Sequence, residues 1–246
     1  MGQLLASAIR RVRPAPLASA LKRLLRIKRT VIDTEHGRFY VDPASDLGVR
    51  LAEGDYEPWM RGHLRTYLPK GGVFVDVGAN EGFFSVLAAP IASRVIAVEP
   101  QLRLIPVITE NLRLNGATNV AIESAAISDH AGLTKLYLAP DMNNGASGLT
   151  NATRFKVETQ SVATITLAEL FKRHNIDRAD FVKIDVEGHE YEAVTGSPAL
   201  FTDKRIVAIS IEMHPEQLAE RGRTDQDIAR FLASVGYTFN GAVWVA

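Results

Sequence analysis

The 246-residue chain contains no cysteine. That excludes disulfides, thiolate zinc sites and a cysteine nucleophile, and it fits the reducing cytoplasm where the protein is expected to work. No apolar run approaches the roughly 20 residues that a membrane-crossing helix needs. The N-terminus lacks the apolar core and small-residue cleavage site of a secretory signal. Met1-Gly2 opens like a myristoylation signal, but Ala6 stands where that signal requires a hydroxyl. Acidic side chains are missing from residues 1–30, which hold Arg10, Arg11, Arg13, Lys22, Arg23, Arg26, Lys28 and Arg29. Setting those eight aside leaves 20 of the 28 bases against 28 acids, a balance of −8 for the rest of the chain. A body of that sign is a poor polyanion binder, so nucleic acid is not expected as a substrate.

The expected organisation is a basic N-terminal extension (1–30) followed by a domain over 31–246, with a cap at 31–70 and a core at 71–246. In the extension Leu17, Leu21 and Leu24 share a helical face that Pro14 and Pro16 prevent from lengthening. It reads either as a helix lying on its own domain with solvated arginines, or as a segment for weak peripheral contact with an anionic membrane or a partner. Short extended pieces around His36-Gly37 predict a hairpin-like cap, and Pro58 suits the first position of a helix running to about Leu68. Strands are expected at Val73–Val77, Arg94–Val98, Val120–Ser124, Leu133–Leu138, Lys156–Ile165, Phe181–Val186 and Ile206–Met213. Helices are expected between most of them, with Pro106 kinking the one at Leu102–Leu114 and Thr166 and Thr224 starting two others. Strands alternating with helices predict an α/β, doubly wound, mostly parallel sheet. The last two strands, Tyr237–Phe239 and Val243–Val245, lie too close together for a crossover helix, so an antiparallel edge is expected.

One stretch carries the chemistry. Val73–Val77 runs directly into Gly78-Ala-Asn-Glu-Gly82 and then an apolar helix from Phe83. Glycines permit a tight turn and close approach to a ligand, and the new helix offers unpaired N–H groups. Glu99, at the end of the next strand, is placed to accept hydrogen bonds from both hydroxyls of a ribose. Nicotinamide cofactors and S-adenosylmethionine both satisfy these observations. The loop lacks the first glycine of G-x-G-x-x-G, and Asp76 and Glu81 flank it with carboxylates that repel a pyrophosphate but suit a cationic ligand. An NAD-type oxidoreductase on a similar fold remains the alternative.

Phe74-Val-Asp-Val-Gly-Ala-Asn-Glu-Gly-Phe83, Val98-Glu-Pro100, Asn111-Leu-Arg-Leu-Asn-Gly116, Val182-Lys-Ile-Asp-Val-Glu-Gly-His-Glu190 and Ile211-Glu-Met-His-Pro215 together resemble the FkbM-type family of S-adenosylmethionine-dependent methyltransferases. The resemblance runs from about Tyr56 to Pro215. It implies the Rossmann-like, seven-stranded sheet of class I methyltransferases and O-methylation of a small hydroxylated acceptor such as a sugar or secondary metabolite. By position it implies that Asp76, Gly78, Asn80 and Gly82 surround the methionine part of the cofactor, Glu99 the ribose, and Ser124 with Ala125 the adenine edge. Glu57 matches an acidic element before the core strand; it either closes over the cofactor's amino group or is a first-turn acid favoured by the helix dipole.

Asp185, Glu187 and His189 lie at the carboxyl end of a strand in the same set and are the candidate catalytic residues. An alcohol acceptor needs alignment behind the methyl group and a destination for its proton. His189 is a candidate general base and Asp185 a candidate orienting group; the plainer reading makes them helix-start carboxylates and a solvated histidine. With His214 the two carboxylates raise a divalent metal, but no metal is assigned, because Asp-x-Glu at strand ends is common without one. His214 is expected to face the acceptor pocket or cap a helix. The polar loop Asp141–Gly148, with Asn143, is a candidate acceptor lid, and Trp59 offers either a stacking surface or plain packing. His36, His63, His130 and His174 show no supporting partners in sequence. Asp185-Val-Glu-Gly lacks the Asn/Asp-Pro-Pro-Tyr of amino-group DNA methyltransferases. A non-catalytic protein that keeps the cofactor fold and docks through residues 1–30 is the remaining alternative.

Overall fold

The computed structural model describes residues 21–22, 24–139, 145–149 and 158–246. Asn143 and most of the basic extension, Leu17 included, lie outside them. Strands β1 (Thr30–Thr34) and β2 (Gly37–Val41) pair antiparallel as the expected hairpin. They dock on helix α4 (Ile105–Leu114) through two asparagines one turn apart. Asn111 Oδ1 accepts from Tyr40 N at 2.6 Å, and Asn115 exchanges bonds of 3.0 and 2.7 Å with the backbone of Arg38. Helix α1 (Asp46–Glu53) follows, capped by Ser45 and stopped by left-handed Gly54. Its short apolar pattern was too brief to separate from a loop. Helix α2 (Pro58–Tyr67) starts at Pro58, as expected.

The main sheet has the order β11-β12-β10-β9-β3-β4-β5, with β3 (Val73–Val77), β4 (Arg94–Val98), β5 (Val120–Glu123), β9 (Ala179–Ile184), β10 (Ile206–Ile211), β11 (Thr238–Asn240) and β12 (Val243–Val245). Strands β3, β4, β5, β9 and β10 are mutually parallel, while β12 runs against both its neighbours. The seven-stranded doubly wound sheet is therefore present, its antiparallel member one place in from the edge. Phe74 and Phe181 enter the core on one face of the sheet, and Val75, Val77, Val182 and Ile184 enter that on the other. Both faces being covered explains why these strands read as nearly unbroken apolar runs.

The chain builds outward from β3 to β4 and β5, then returns to lay β9 on the other side of β3. That reversal is the switch point where such sheets bind ligands.

Two expected strands do not join this sheet. β7 (Gly132–Leu138) and β8 (Glu158–Ile165) pair antiparallel with each other, and β6 (Ala126–Ile127) adds alongside β8. Alternating exposure along β7 and β8, against continuous burial in β3, marks them as a sheet with one solvated face. Pro106 does not kink α4, because the helix begins at Ile105 and the proline falls in its first turn, where a missing N–H is harmless. Helix α5 (Leu167–Arg173) and helix α9 (Asp225–Ser234) carry the capping boxes at Thr166 and Thr224. Helix α6 (Glu190–Thr195) lies between β9 and β10, whereas helices α7 (Pro198–Thr202) and α8 (Pro215–Glu220) were not expected. Each opens on a proline that also reads as a turn signal.

Candidate functional site

The loop after β3 is held by backbone. The N–H groups of Gly78 and Ala79 both donate to Val98 O, at 3.0 and 2.9 Å. Gly78 has φ +79, and a Cβ there would sit 1.8 Å from Asp185 O. Only glycine lets the end of β9 pass so close. Asn80, at φ +52, donates its N–H to Glu99 Oε2 at 2.8 Å, and Gln101 N donates to Glu99 Oε1 at 2.9 Å. Burial outweighs these donors and pushes the Glu99 carboxyl up to about 7.

These residues border a cavity at the switch point. Of the expected cofactor positions, Gly78, Asn80, Glu99 and Ala125 line it; so do Asp185, Glu187 and His189. Asp76 lies under the loop, fully buried, accepting from Ser85 Oγ at 2.6 Å. Gly82 turns the chain into helix α3 (Phe83–Ala88) and packs on Ile108. Ser124 is exposed. Glu81 forms a bidentate pair with Arg29, so its charge is already matched by an arginine. The described end of the Asp141–Gly148 loop covers the cavity. Ser147 Oγ donates to Gln101 Oε1 at 3.1 Å, and Gly148 passes against Glu187 O. Trp59, 44% exposed, stacks edge-on with His63 and does not line the cavity.

Lys183 and Glu212 also belong to this cluster. Lys183, buried on β9 beside Asp76, donates to Asp185 Oδ2 at 3.1 Å and lies 5.6 Å from the Phe84 ring centre. Burial opposes its charge, but Asp185, Asp76 and Glu57 more than offset that and hold the ammonium above the usual lysine value. A lysine within an otherwise apolar strand was the available signal. Glu212, after β10, interacts with Asp185 and Lys183, and burial raises its carboxyl. Glu57 joins the same cluster from the start of α2, in a left-handed conformation (φ 42), and burial raises it to about 7.

His214 directly precedes α8 but makes no side-chain cap. Its Nδ1 lies 2.7 Å from Glu190 Oε1, and its Nε2 lies 3.5 Å from Glu187 and 3.9 Å from Asp185. Burial lowers the imidazole, yet the hydrogen bond to Glu190 and the surrounding carboxylates win and raise it to about 9. Burial likewise pushes Glu187 up to about 7. Among the described residues, Asp185, Glu187 and His214 bring potential ligand atoms within 4.8 Å of one another. His189 is buried against Ser128 Oγ at 2.9 Å, and burial lowers its pKa. Three of the other histidines do have partners: His36 with Arg61, His130 with Asp129, and His174 with Glu123.

A sheet of this order, with its glycine loop after the central strand and a buried glutamate ending the next, defines a Rossmann-like fold of the class I methyltransferase kind. Residues 76–239, more than half the chain, match the family described as the methyltransferase FkbM domain, and the chain belongs to that family. No curated protein matches it. Among solved structures it is similar to a methyltransferase FkbM from Methylobacillus flagellatus KT, at 14% identity and TM-score 0.48, covering 72% of this chain and 44% of that one. The chain thus spans less than half the length of that protein. It is also similar to M. jannaschii TYW2 in complex with AdoMet (14% identity, TM-score 0.41, 88% and 82% covered). A third is an rRNA methylase from Streptococcus thermophilus (18% identity, TM-score 0.27, 28% and 38% covered). No helix among the described residues is long and apolar enough to cross a membrane.

Proposed function

We propose that the chain is an S-adenosylmethionine-dependent O-methyltransferase acting on a hydroxyl of a small acceptor such as a sugar or secondary metabolite. The observation that carries this is a single cavity bordered both by the Gly78–Glu99 loop system and by Asp185, Glu187 and His189. The lining fits the cofactor. Glu99 is the acceptor for the ribose hydroxyls, Ala125 and Ile127 supply an apolar wall for adenine, and Asn80 Oδ1 is buried with no hydrogen-bond partner among the described residues. Asp185, with Glu57 close to it, provides negative charge for a cationic ligand. When bound, the cofactor supplies an electrophilic methyl group on a sulfonium.

The chain's own residues then orient the acceptor and take its proton. Asp185, fixed by Lys183, holds the hydroxyl. Glu187 accepts the proton, since a carboxylate raised to about 7 is matched to neutral pH. His189 fits that role less well, because its Nε2 already meets Ser128. At saturating cofactor the rate is expected to rise as pH passes through about 7, because Glu187 is protonated and idle below it. Glu187→Gln should remove that rising limb, and a limb that survives unchanged would transfer the role to another group.

Calorimetric titration tests the cofactor: S-adenosylhomocysteine should bind and NADH should not, and the reverse result supports the oxidoreductase. Methylated product from a library of hydroxylated acceptors, lost in Asp185→Ala, excludes a purely binding protein. The spacing of Asp185, Glu187 and His214 supports a divalent cation as a second reading. A rate unchanged by exhaustive EDTA treatment would eliminate it.

A further inference from the structure

Two bases of the N-terminal segment are spent inside the fold. Lys22 pairs with Asp42, and Arg29 reaches Glu81 in the glycine loop with both terminal nitrogens, at 2.8 Å each. Glu81 is 1% exposed and follows Asn80, the left-handed residue whose N–H is bonded to Glu99. A planar guanidinium fork on a buried carboxylate fixes orientation as well as charge, which a lysine point charge cannot do. A second hold acts on the same residue. Fully buried Asn111 donates from Nδ2 to Glu81 O at 2.8 Å while its Oδ1 takes Tyr40 N, and Arg29 also reaches Tyr40 O at 3.5 Å. The loop is therefore gripped on its cavity side by Glu99 and on its outer side by Arg29 and Asn111, with the hairpin edge as the shared anchor.

We propose that Arg29 is a positioning residue for the cofactor loop, so that the basic segment preceding the domain governs cofactor affinity by setting the Asn80–Gly82 turn. This rests on the S-adenosylmethionine reading above. Arg29 does not line the cavity, so its effect must pass through Glu81. Without the fork, the buried carboxylate is drawn toward water and the turn loses the geometry in which Asn80 N meets Glu99.

The test uses the full chain. In wild type, Arg29→Ala, Arg29→Lys, Glu81→Gln and the double variant Arg29→Ala/Glu81→Gln, two quantities are measured: S-adenosylhomocysteine affinity by calorimetry, and hydrogen exchange of the 78–84 backbone in the unliganded protein. Arg29→Ala is expected to weaken binding by about tenfold or more and to speed exchange in 78–84. Arg29→Lys should recover only part, and the double variant should lose no more than the worse single one. Circular dichroism separates this from misfolding, and Arg29→Lys, which keeps the charge, serves if the alanine variant does not fold. Unchanged affinity and exchange in a folded Arg29→Ala overturns the proposal, as does a double variant in which the two losses multiply. Wild type that binds no S-adenosylhomocysteine overturns the cofactor reading and the affinity half of the proposal. Faster exchange in Arg29→Ala would then show that the clamp itself stands.

Discussion

Gly78→Ala is expected to destabilise the protein by ~2–5 kcal/mol and to abolish S-adenosylhomocysteine binding. Two effects add. Forcing an L-residue into the left-handed region costs about 1–2 kcal/mol. The added methyl would also stand 1.8 Å from Asp185 O, and an overpacked site of this kind costs about 1–3 kcal/mol more. The obstructing atom is backbone at the end of β9, so no side-chain rotation relieves it. Either the loop lifts from Val98 or β9 moves away from β3, and both shift Glu99 relative to Asp185. Gly54→Ala is the control, because Gly54 has φ +75 but nothing within 4 Å of the added carbon. Differential scanning fluorimetry should show the Gly78 variant melting lower by roughly 5–15 °C, with Gly54→Ala losing only the backbone share of about 1–2 kcal/mol. Equal losses at the two positions would mean that contact with Asp185 is unimportant.

That glycine was legible in the sequence because its signal is local. An apolar strand, a glycine turn and an apolar helix follow within a dozen residues, and Glu99 ends the next strand. Parallel order could be read for the same reason, from β-α alternation. What escaped was set by long-range neighbours. Glu81 and Asp76 looked equivalent beside the loop, yet Arg29, distant in sequence, takes Glu81, and Ser85 with Lys183 surrounds Asp76. Lys183 stands two residues before Asp185 on the same stretch of chain, whereas the crossover from β9 to β10 is what brings His214 beside it. The two-residue spacing puts Lys183 and Asp185 on one face, but it does not reveal that Nζ lies 3.1 Å from one carboxylate oxygen while His214 Nε2 approaches the other at 3.9 Å. The small sheet of β7 and β8 was visible as strands but not as a separate sheet, since pairing partners are not encoded by period alone.

Lys183→Met should lower both activity and stability severely, and the pH dependence of the stability loss shows why. Lys183 is the buried cation against which Asp185, Asp76 and Glu57 are balanced. Its own folded pKa lies above the unfolded value, so it stabilises the fold fully below about 10.5 and loses that contribution only as pH rises through the folded value. At pH 7 the methionine leaves the carboxylates uncompensated, at a cost of about 3–5 kcal/mol. The sign then follows from Asp76, which burial already raises and which Lys183 and Ser85 pull back down. Without the lysine its folded pKa climbs further, and a raised carboxyl favours folding below its unfolded pKa and loses that contribution as pH rises through the folded one. The stability deficit of Lys183→Met against wild type should therefore shrink as pH falls from 7 toward 4. Asp76→Asn in the same chain should recover much of the stability at pH 7. It should not recover turnover, because Asp185 still lacks the ammonium that orients it, and a displacement of about 1 Å at such a position lowers the rate by about 100-fold. Melting curves across this pH range, with single-turnover rates on the double variant, separate the two contributions. A deficit independent of pH would assign Lys183 to packing against Phe84, and full recovery of turnover would remove it from the positioning of Asp185.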